Sequence, residues 1–241
     1  MQSVPIRAFV FDVFGTLVDW RIGIATGVEE HLVPLDPRVD PGAFADAWRG
    51  YYQPAMAEVR SGARDWVNLD VLHSENLDRV LRDFCIEGVP DDLRRELVDR
   101  WHRLDVWPDV KDGLKTLRRS YLLAPLSNGH IALSIALARR NGLRWDAILG
   151  AELARSYKPA PEVYLAGVAA LGLRPENVLM VACHSDDLAA ARALGLRTAH
   201  IARPDENGPG LGEAEPRTEV DFAARDLLDL ADRLSGVTTA A

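Results

Sequence analysis

Four short stretches of the sequence carry side chains that could take part in covalent catalysis. In chain order these side chains are Asp12, Thr16, Ser127, Asn128, Lys158, His184 and Asp187. A carboxylate can act as a nucleophile, while hydroxyl, amide and ammonium groups can bind and polarise an anionic substrate. Taken alone, Asp12 has two interpretations, because an aspartate at this kind of position can also be the N-cap of a helix.

Apolar runs come directly before three of these four stretches, and the stretch with Lys158 is the exception. The runs cover residues 8–11, 121–126 and 178–183, and they are typical of buried strands. Ligands of an open α/β sheet bind outside the carboxyl ends of its parallel strands. The sequence therefore predicts that the four stretches meet at one edge of a sheet.

Strand and helix patterns alternate after residue 107, which predicts parallel crossovers and an α/β fold with a doubly wound sheet. Residues 22–104 show only helical patterns, with helices predicted at 22–32, 41–62, 68–86 and 91–104. We therefore expect a core formed by residues 1–21 and 105–241, with a helical cap domain at 22–104 inserted after the first strand. Residues 204–217 are predicted to be a surface loop.

The composition narrows the class of protein. The chain has 241 residues and a formal net charge of −8, which argues against a nucleic-acid partner. Cys85 and Cys183 are too far apart for a disulfide framework or a zinc motif. No apolar signal segment or membrane span is evident. We expect a soluble cytoplasmic protein that binds neither nucleic acid nor a membrane.

Four motifs resemble those of the haloacid dehalogenase superfamily. They are Phe-Asp-x-Phe-Gly-Thr-Leu around Asp12, Ser-Asn-Gly at 127–129, Tyr-Lys-Pro-x-x-x-x-Tyr at 157–164, and Asp187 followed by Leu-Ala-Ala-Ala-Arg-Ala-Leu-Gly. They occur in the order that this family has. The resemblance implies a Rossmann-like core with an inserted cap and makes Asp12 the nucleophile.

Two positions separate this chain from the phosphatases that form most of that superfamily. The resemblance implies an acid/base aspartate two residues after the nucleophile, where this chain has Phe14, and an acidic magnesium ligand where it has Cys183. Phenylalanine cannot transfer a proton, and a thiol is a poor magnesium ligand. We therefore expect no metal and no other cofactor. Magnesium belongs only to the alternative of a phosphatase with the same fold.

An aromatic residue at position 14 resembles the L-2-haloacid dehalogenase branch instead. Tyr164 matches a tyrosine of that branch, and Trp48-Arg49 resembles a pair whose arginine reaches the substrate from the cap. The alternative for Arg49 is a position on a solvent-exposed helix face. Arg21 is a second basic candidate, with a role at the hinge as its alternative.

The resemblance implies a substitution at carbon. Asp12, kept ionised by Lys158, would attack the α-carbon of a small 2-haloacid, whose carboxylate Ser127 and the backbone N–H groups near Val13 and Phe14 would bind. Arg49 and Asn128 would stabilise the departing halide. Asp187 would position Lys158 or activate the water. The aspartyl ester would then be hydrolysed.

Three residues depart from the best-known members of the branch, one of them Ala182 in place of a serine. His184 replaces an asparagine; it could activate the hydrolytic water or simply cap the following helix. Asp186 replaces a tryptophan and is expected to point to solvent. The leading hypothesis is a hydrolase of short 2-haloalkanoic acids, for which the family suggests a homodimer. A magnesium-dependent phosphatase and a catalytically silent family member are the alternatives.

Overall fold

Six strands form a parallel sheet in the computed structural model, which describes residues 4–238. In chain order they are β1 (Ala8–Phe11), β2 (Leu122–Ser127), β3 (Leu149–Gly150), β4 (Val178–Ala182), β5 (Arg197–Ile201) and β6 (Phe222–Ala224). Their order across the sheet is β3-β2-β1-β4-β5-β6. The chain thus winds outward from the central strand β1 in both directions, and the predicted doubly wound α/β fold is confirmed.

Helices cover both faces of this sheet and form the inserted block. In chain order they are α1 (Trp20–His31), α2 (Pro41–Gly50), α3 (Tyr52–Arg60), α4 (Leu69–Asp83), α5 (Asp91–Asp99), α6 (Val110–Leu117), α7 (Ile131–Asn141), α8 (Pro161–Ala170), α9 (Ser185–Ala193) and α10 (Leu227–Thr238). Within residues 4–238, no helix has the length and apolar content needed to cross a membrane.

The central strand is buried on both faces, as its continuous apolar sequence predicts. Its four residues Ala8–Phe11 are all fully buried. Phe11 lies opposite Pro125 of β2 and Val181 of β4 in the parallel register. The residues that follow these three strands therefore emerge at the same level, which brings their loops together at one edge.

The helical block leaves and re-enters the core through two adjacent segments. Val18 and Val106 form an antiparallel bridge, and the Asp19 N–H donates to the Asp105 carbonyl at 3.0 Å. Helices α1 to α5 lie between these segments. From this pairing we infer that residues 22–104 are the inserted cap and that the two paired segments are its connection to the core.

Three details differ from the sequence-based expectations. The helix predicted at 41–62 is two helices, α2 and α3. The break falls at Tyr51, whose N–H donates to the Trp48 carbonyl three residues earlier, at 3.3 Å. Gly50, directly before it, has a low helix propensity. Strand β6 was not predicted because its three residues, Phe222–Ala224, are too short a run to be recognised as a strand. The predicted surface loop at 204–217 folds partly inward, with Glu206 only 3% exposed.

Aromatic side chains of the cap pack against the start of the core. Phe14 lies edge-on to Trp101, with ring centroids 5.6 Å apart, and Trp101 stacks on His73 at 4.1 Å. Burial lowers the pKa of His73 to about 3, so this imidazole is neutral and packs as an aromatic ring. The cap therefore places an apolar cluster directly over the loop that follows β1.

Candidate active site

Asp12 lies at the carboxyl end of β1 with both carboxylate oxygens bound. Lys158 Nζ donates to Oδ1 at 2.9 Å, and Thr16 Oγ1 donates to Oδ2 at 2.8 Å. His184 Nδ1 lies 3.3 Å from Oδ2. Only 10% of the Asp12 side chain is exposed. The carboxylate is therefore fixed in position and shielded from bulk water.

The turn after Asp12 is closed by backbone contacts. The N–H groups of Leu17 and Val18 both donate to the Val13 carbonyl, at 2.9 and 3.1 Å. Thr16 Oγ1 accepts from the Cys183 N–H at 3.0 Å, so its own proton is available for Asp12. This hydroxyl ties the ends of β1 and β4 together and orients the carboxylate.

The charge of Lys158 keeps Asp12 ionised. Burial alone would raise the pKa of the Asp12 carboxyl, but the adjacent Lys158 ammonium and His184 outweigh burial and hold that pKa well below its usual range. Burial likewise opposes the charge on Lys158, yet Asp12 and Asp187 raise its pKa above the ordinary value. The site therefore contains a stable carboxylate with the charge state that a nucleophile needs.

Asp187 is held by two donors. Lys158 Nζ and the Tyr164 hydroxyl each donate to one of its oxygens, both at 2.5 Å. Burial and the neighbouring Asp187 raise the pKa of Tyr164, so its hydroxyl keeps its proton and remains a donor. Asp187 is thereby placed as an anchor for the Lys158 ammonium.

The Ser-Asn-Gly segment follows β2 and fixes the next part of the edge. Ser127 Oγ accepts from the Gly129 N–H at 3.0 Å, and Asn128 Oδ1 accepts from the Lys158 N–H at 2.7 Å. Because Asn128 Oδ1 accepts this hydrogen bond, the NH₂ group of the same amide is the part that can donate to a substrate. This segment therefore also holds the backbone of the Lys158 loop.

Arg49 enters the site from the cap and lies among aromatic rings. Its guanidinium carbon is 4.0 Å from the ring centroid of Tyr52, 5.2 Å from Trp20 and 5.8 Å from Phe14. Its Nη1 atom is buried and has no hydrogen-bond partner among residues 4–238. A buried cationic donor without a partner is costly, so this group is suited to bind an anion.

A cavity of about 430 Å³ lies between the cap and the strand ends. Its lining residues are Asp12, Phe14, Arg49, Tyr52, Gln53, Arg60, Asn128, Lys158, Pro159, Tyr164, His184, Asp186, Asp187, Glu213 and Arg217. Most of the predicted site residues thus meet in one space. Thr16 and Ser127 support it from behind, and exposed Asp186 lies at its solvent side, as expected.

One predicted binding residue lies outside this cavity, and the prediction for Val13 concerned only its backbone N–H group. Arg21 lies outside this cavity, since its guanidinium forms two hydrogen bonds with Asp46, at 2.7 and 2.8 Å, on the exposed side of the cap. The structure therefore does not bring Arg21 to the cavity, and its role in binding stays a prediction. The Val13 side chain lines a separate small apolar cavity with Leu17, so only its backbone is near Asp12.

Several residues of the site were not found from the sequence. Arg60 lies on α3, and its Nη1 donates to the Lys158 carbonyl at 3.1 Å. Glu206 approaches from the 204–217 loop, and its Oε1 lies 3.0 Å from His184 Nε2. A glutamate in a polar, glycine-rich segment gives no signal of burial, since its partners are distant in the chain.

The donor set does not suit magnesium. Magnesium takes hard oxygen ligands in an octahedral arrangement. The position of the phosphatase ligand is occupied by the Cys183 thiol, whose pKa burial raises, and both oxygens of Asp187 already accept hydrogen bonds from Lys158 and Tyr164. Phe14 offers an aromatic wall in place of an acid. We therefore derive no catalytic step through a metal ion.

Comparisons with known proteins place the chain in a family. The profile of the haloacid dehalogenase-like hydrolases matches residues 6–195. The crystal structure of the defluorinating L-2-haloacid dehalogenase Rha0230 is similar with a TM-score of 0.92 and 45% identity, covering 95% of both chains. The (S)-2-haloacid dehalogenase 1 of Pseudomonas sp. (strain CBS-3) is 30% identical, over 83% of this chain and 86% of that relative.

A phosphatase is among the relatives as well. The phosphoglycolate phosphatase of Chromobacterium violaceum is 31% identical, over 96% of this chain and 98% of the relative. The chain is thus about equally similar in sequence to this phosphatase and to the (S)-2-haloacid dehalogenase. The residues of the site must therefore distinguish the two activities. Since the family profile covers most of the sequence, the chain belongs to the haloacid dehalogenase-like hydrolases.

Proposed function

We propose that this protein hydrolyses short 2-haloalkanoic acids to 2-hydroxy acids and halide through an ester on Asp12. The observation that carries the proposal is the buried Arg49 guanidinium, which lies among aromatic rings and has an unpartnered Nη1. A halide that leaves carbon gains negative charge in the transition state, and a desolvated cation stabilises such charge strongly. The names of relatives that act on haloacids support the same reaction class.

The first half-reaction is an in-line substitution. An oxygen of Asp12 attacks the α-carbon as the carbon–halogen bond breaks, and the halide departs toward Arg49 and the Asn128 amide. The backbone N–H groups at Val13 and Phe14 bind the substrate carboxylate, and Ser127, from behind the cavity, fixes the segment that carries Asn128. Because the attack comes from the side opposite the halogen, the configuration at the α-carbon is inverted.

The second half-reaction restores Asp12. Water attacks the carboxyl carbon of the aspartyl ester, the bond between that carbon and the alkoxy oxygen breaks, and the alkoxide takes a proton to become the 2-hydroxy acid. Lys158 and Thr16 hold the carboxyl group in place through both steps. The new hydroxyl oxygen of the product comes from Asp12, and Asp12 gains its replacement oxygen from water.

The size and polarity of the cavity favour small substrates. Its volume of about 430 Å³ includes space at the solvent side near Asp186, and its inner wall is formed by Phe14 and Tyr52. We therefore propose haloacetates and 2-halopropionates as substrates. Fluoroacetate is included because the similar Rha0230 is named as a defluorinating enzyme.

Phe14 is the residue that argues against phosphoryl transfer. A phosphatase needs a group here that protonates the leaving alcohol, and a buried phenyl ring cannot do so. Its edge-on contact with Trp101 also fixes the ring as part of the cap interface. The aromatic wall suits a carbon substrate, whose reacting centre carries no formal charge.

The experiment is a halide-release assay on purified protein. Fluoroacetate, chloroacetate and (S)-2-chloropropionate are each incubated with and without EDTA, and phosphoglycolate is tested with magnesium. We expect halide release that EDTA does not change, together with (R)-lactate from the chiral substrate. Phosphate release that requires magnesium, without halide release, would contradict the proposal, and inactivity in every assay would indicate a silent family member.

Two further expectations stay predictions. A homodimer is suggested by the family resemblance, and sedimentation velocity of the purified chain would determine the oligomeric state. A cytoplasmic location is suggested by the sequence, and fractionation of the source cells would test it.

A further inference from the structure

We propose that Glu206 is a positioning residue that makes His184 the base of the second half-reaction. The proposal rests on the proposed function, since it concerns the hydrolysis of the ester on Asp12. The juxtaposition that carries it is a row of three side chains. His184 lies between Asp12, 3.3 Å from Nδ1, and Glu206, 3.0 Å from Nε2.

Glu206 is held rigidly although its loop is polar. Its side chain is 4% exposed, and Trp20 Nε1 donates to its Oε1 at 3.0 Å. Gly15 makes room for the carboxylate, since a Cβ at that position would lie 2.0 Å from Oε1. Gly15 also has a φ of +84°, a conformation that favours glycine. The turn after the nucleophile is thus shaped to admit this glutamate.

The contact with Glu206 selects one form of the neutral His184 ring. Both Glu206 oxygens lie near Nε2, at 3.0 and 3.1 Å, and a carboxylate is only an acceptor. Nε2 therefore carries the proton, which leaves the lone pair on Nδ1, the atom that faces Asp12. A water molecule approaching the Asp12 carboxyl carbon beside Oδ2 is within reach of this lone pair.

The charge on His184 depends on the groups next to its ring. Burial disfavours the imidazolium, but contacts with Cys183, Asp12 and Glu206 raise the pKa of His184 well above its ordinary value. Ester formation removes the negative charge of Asp12. The pKa of His184 must then fall, which makes the ring a base only after the halide has left.

The other titratable groups around His184 do not replace this control. Cys183 Sγ lies 3.6 Å from Nε2, and burial raises the pKa of its thiol, which stays neutral. Burial also lowers the pKa of His200 on β5. Despite the burial of Glu206, its hydrogen bond with His184, the charge of His184 and, to a smaller extent, the charge of Arg49 lower its pKa, so Glu206 is ionised. The charge near the ring therefore comes from Glu206 and, before ester formation, from Asp12.

Asp187 is a weaker candidate for this base. Each of its oxygens accepts a hydrogen bond, from Lys158 Nζ and from the Tyr164 hydroxyl. Burial raises the pKa of Asp187, but both of its oxygens are held by these two fixed donors, so this carboxylate is less free than His184 Nδ1 to take a proton from water. His184, by contrast, has 32% of its side chain exposed and lines the cavity.

The proton balance closes around His184. After ester formation His184 releases one proton to solvent, which is the proton that hydrolysis of a carbon–halogen bond produces. Nδ1 then takes a proton from water as the water oxygen bonds to the Asp12 carboxyl carbon. The same proton passes to the alkoxide when the ester bond breaks. The proton on the regenerated Asp12 carboxyl returns to His184.

The test separates the two half-reactions in Glu206→Gln. With excess chloroacetate, rapid-quench measurement follows the first equivalent of halide, and intact mass spectrometry follows the esterified enzyme. We expect the halide burst to stay within about 3-fold of wild type, while ester hydrolysis slows about 100-fold, the scale of general-base catalysis. The esterified chain then accumulates. His184→Asn should give the same pattern and serves as the second variant.

The control is Glu219→Gln, which makes the same chemical change at a side chain that is 79% exposed and pairs with Arg192. It should hydrolyse the ester at the wild-type rate. If the halide burst falls in Glu206→Gln as much as turnover does, or if no ester accumulates in either variant, the inference is overturned while the proposed function stands. If the wild-type protein itself releases no halide, the proposed function fails as well.

Discussion

Arg49 is the residue whose environment is best explained by a bound anion. Three aromatic rings surround the guanidinium, and its buried Nη1 has no partner among residues 4–238. Loss of one partner of a buried charge interaction costs about 2–5 kcal/mol. We therefore expect Arg49→Met to lower kcat/KM for chloroacetate by about 100-fold or more, measured by halide release.

A matched control exists on the same cap. Arg82 is exposed near the end of α4, and Arg82→Met should leave kcat/KM unchanged. A wild-type kcat/KM in Arg49→Met would show that the guanidinium does not interact with the leaving halide.

Lys158 determines the pH range in which Asp12 is charged. The pKa of Asp12 is well below its usual range, so the carboxylate stays ionised as the pH falls through about 4, the ordinary value for aspartate. In Lys158→Met burial is opposed only by the remaining neighbours, and the pKa of Asp12 rises. The acid limb of the halide-burst rate should shift upward by more than about one pH unit.

Stopped-flow halide bursts across the pH range measure this shift. Lys115→Met, at an exposed position of α6, is the control and should keep the wild-type profile. An unshifted acid limb in Lys158→Met, in a protein with a native circular dichroism spectrum, would disagree with the assigned role of Lys158.

At the scale of single residues, the motifs predicted some positions in the cavity better than others. Asp12, Asn128, Lys158 and His184 were recognised because each follows a readable pattern in the chain. Glu206 was not, since its burial depends on Trp20 and Gly15, which lie nearly two hundred positions earlier in the sequence. Contacts of this kind have no local signature.

At the scale of elements, the loop between β5 and β6 is fastened to the core by a buried ion pair. The Arg203 guanidinium makes two hydrogen bonds with Asp109, both at 2.9 Å, and its Nε donates to the Thr16 carbonyl at 2.9 Å. This anchor lies three residues before Glu206. It therefore fixes both the loop and the turn after β1.

Breaking this pair should destabilise the protein. Arg203→Met leaves the Asp109 carboxylate buried without its counter-ion, which costs about 3–5 kcal/mol. Urea unfolding followed by circular dichroism measures the loss in the free energy of unfolding. The control Arg225→Met changes a side chain that is 84% exposed and should alter stability by less than about 0.5 kcal/mol. A similar small change in Arg203→Met would contradict the anchoring role.

The strand and helix pattern was predictable to the extent that it is encoded locally. Continuous apolar runs revealed β1, β2 and β4, because strands covered on both faces have no polar positions. Strand β6 was missed, since it is short and owes its place to pairing with β5. The division of 41–62 into α2 and α3 was also missed, because one glycine within a helical pattern, here Gly50, does not by itself indicate a break in the helix.

At the scale of the whole molecule, an acidic chain surrounds a cavity that contains several cations. The formal net charge is −8, yet four basic side chains balance four acidic ones in the cavity lining. The basic ones are Arg49, Arg60, Lys158 and Arg217, and the acidic ones are Asp12, Asp186, Asp187 and Glu213. The composition therefore argues against a nucleic-acid partner but does not describe the site. Local charge at the strand ends, and not the total, determines which small anions are bound.

The sequence indicated where the cap is inserted into the chain of the core, but not which residues of the cap and the core are in contact. The helical block between β1 and the next strand indicated an insertion, and the pairing of Val18 with Val106 agrees with it. The packing of Phe14 against Trp101 could not be read from the sequence, because it depends on how the cap settles over the sheet. That packing makes the wall behind the nucleophile apolar.

The central claim is that Asp12 attacks carbon and that water then attacks Asp12. The direct test is a single turnover in H₂¹⁸O, with enzyme in excess over chloroacetate, followed by mass analysis of the product and of the peptide that contains Asp12. We predict glycolate with ordinary oxygen and one heavy oxygen in the Asp12 carboxylate. Heavy oxygen in the first-turnover glycolate, with an unlabelled Asp12, would show that water attacks the substrate directly and would contradict the account.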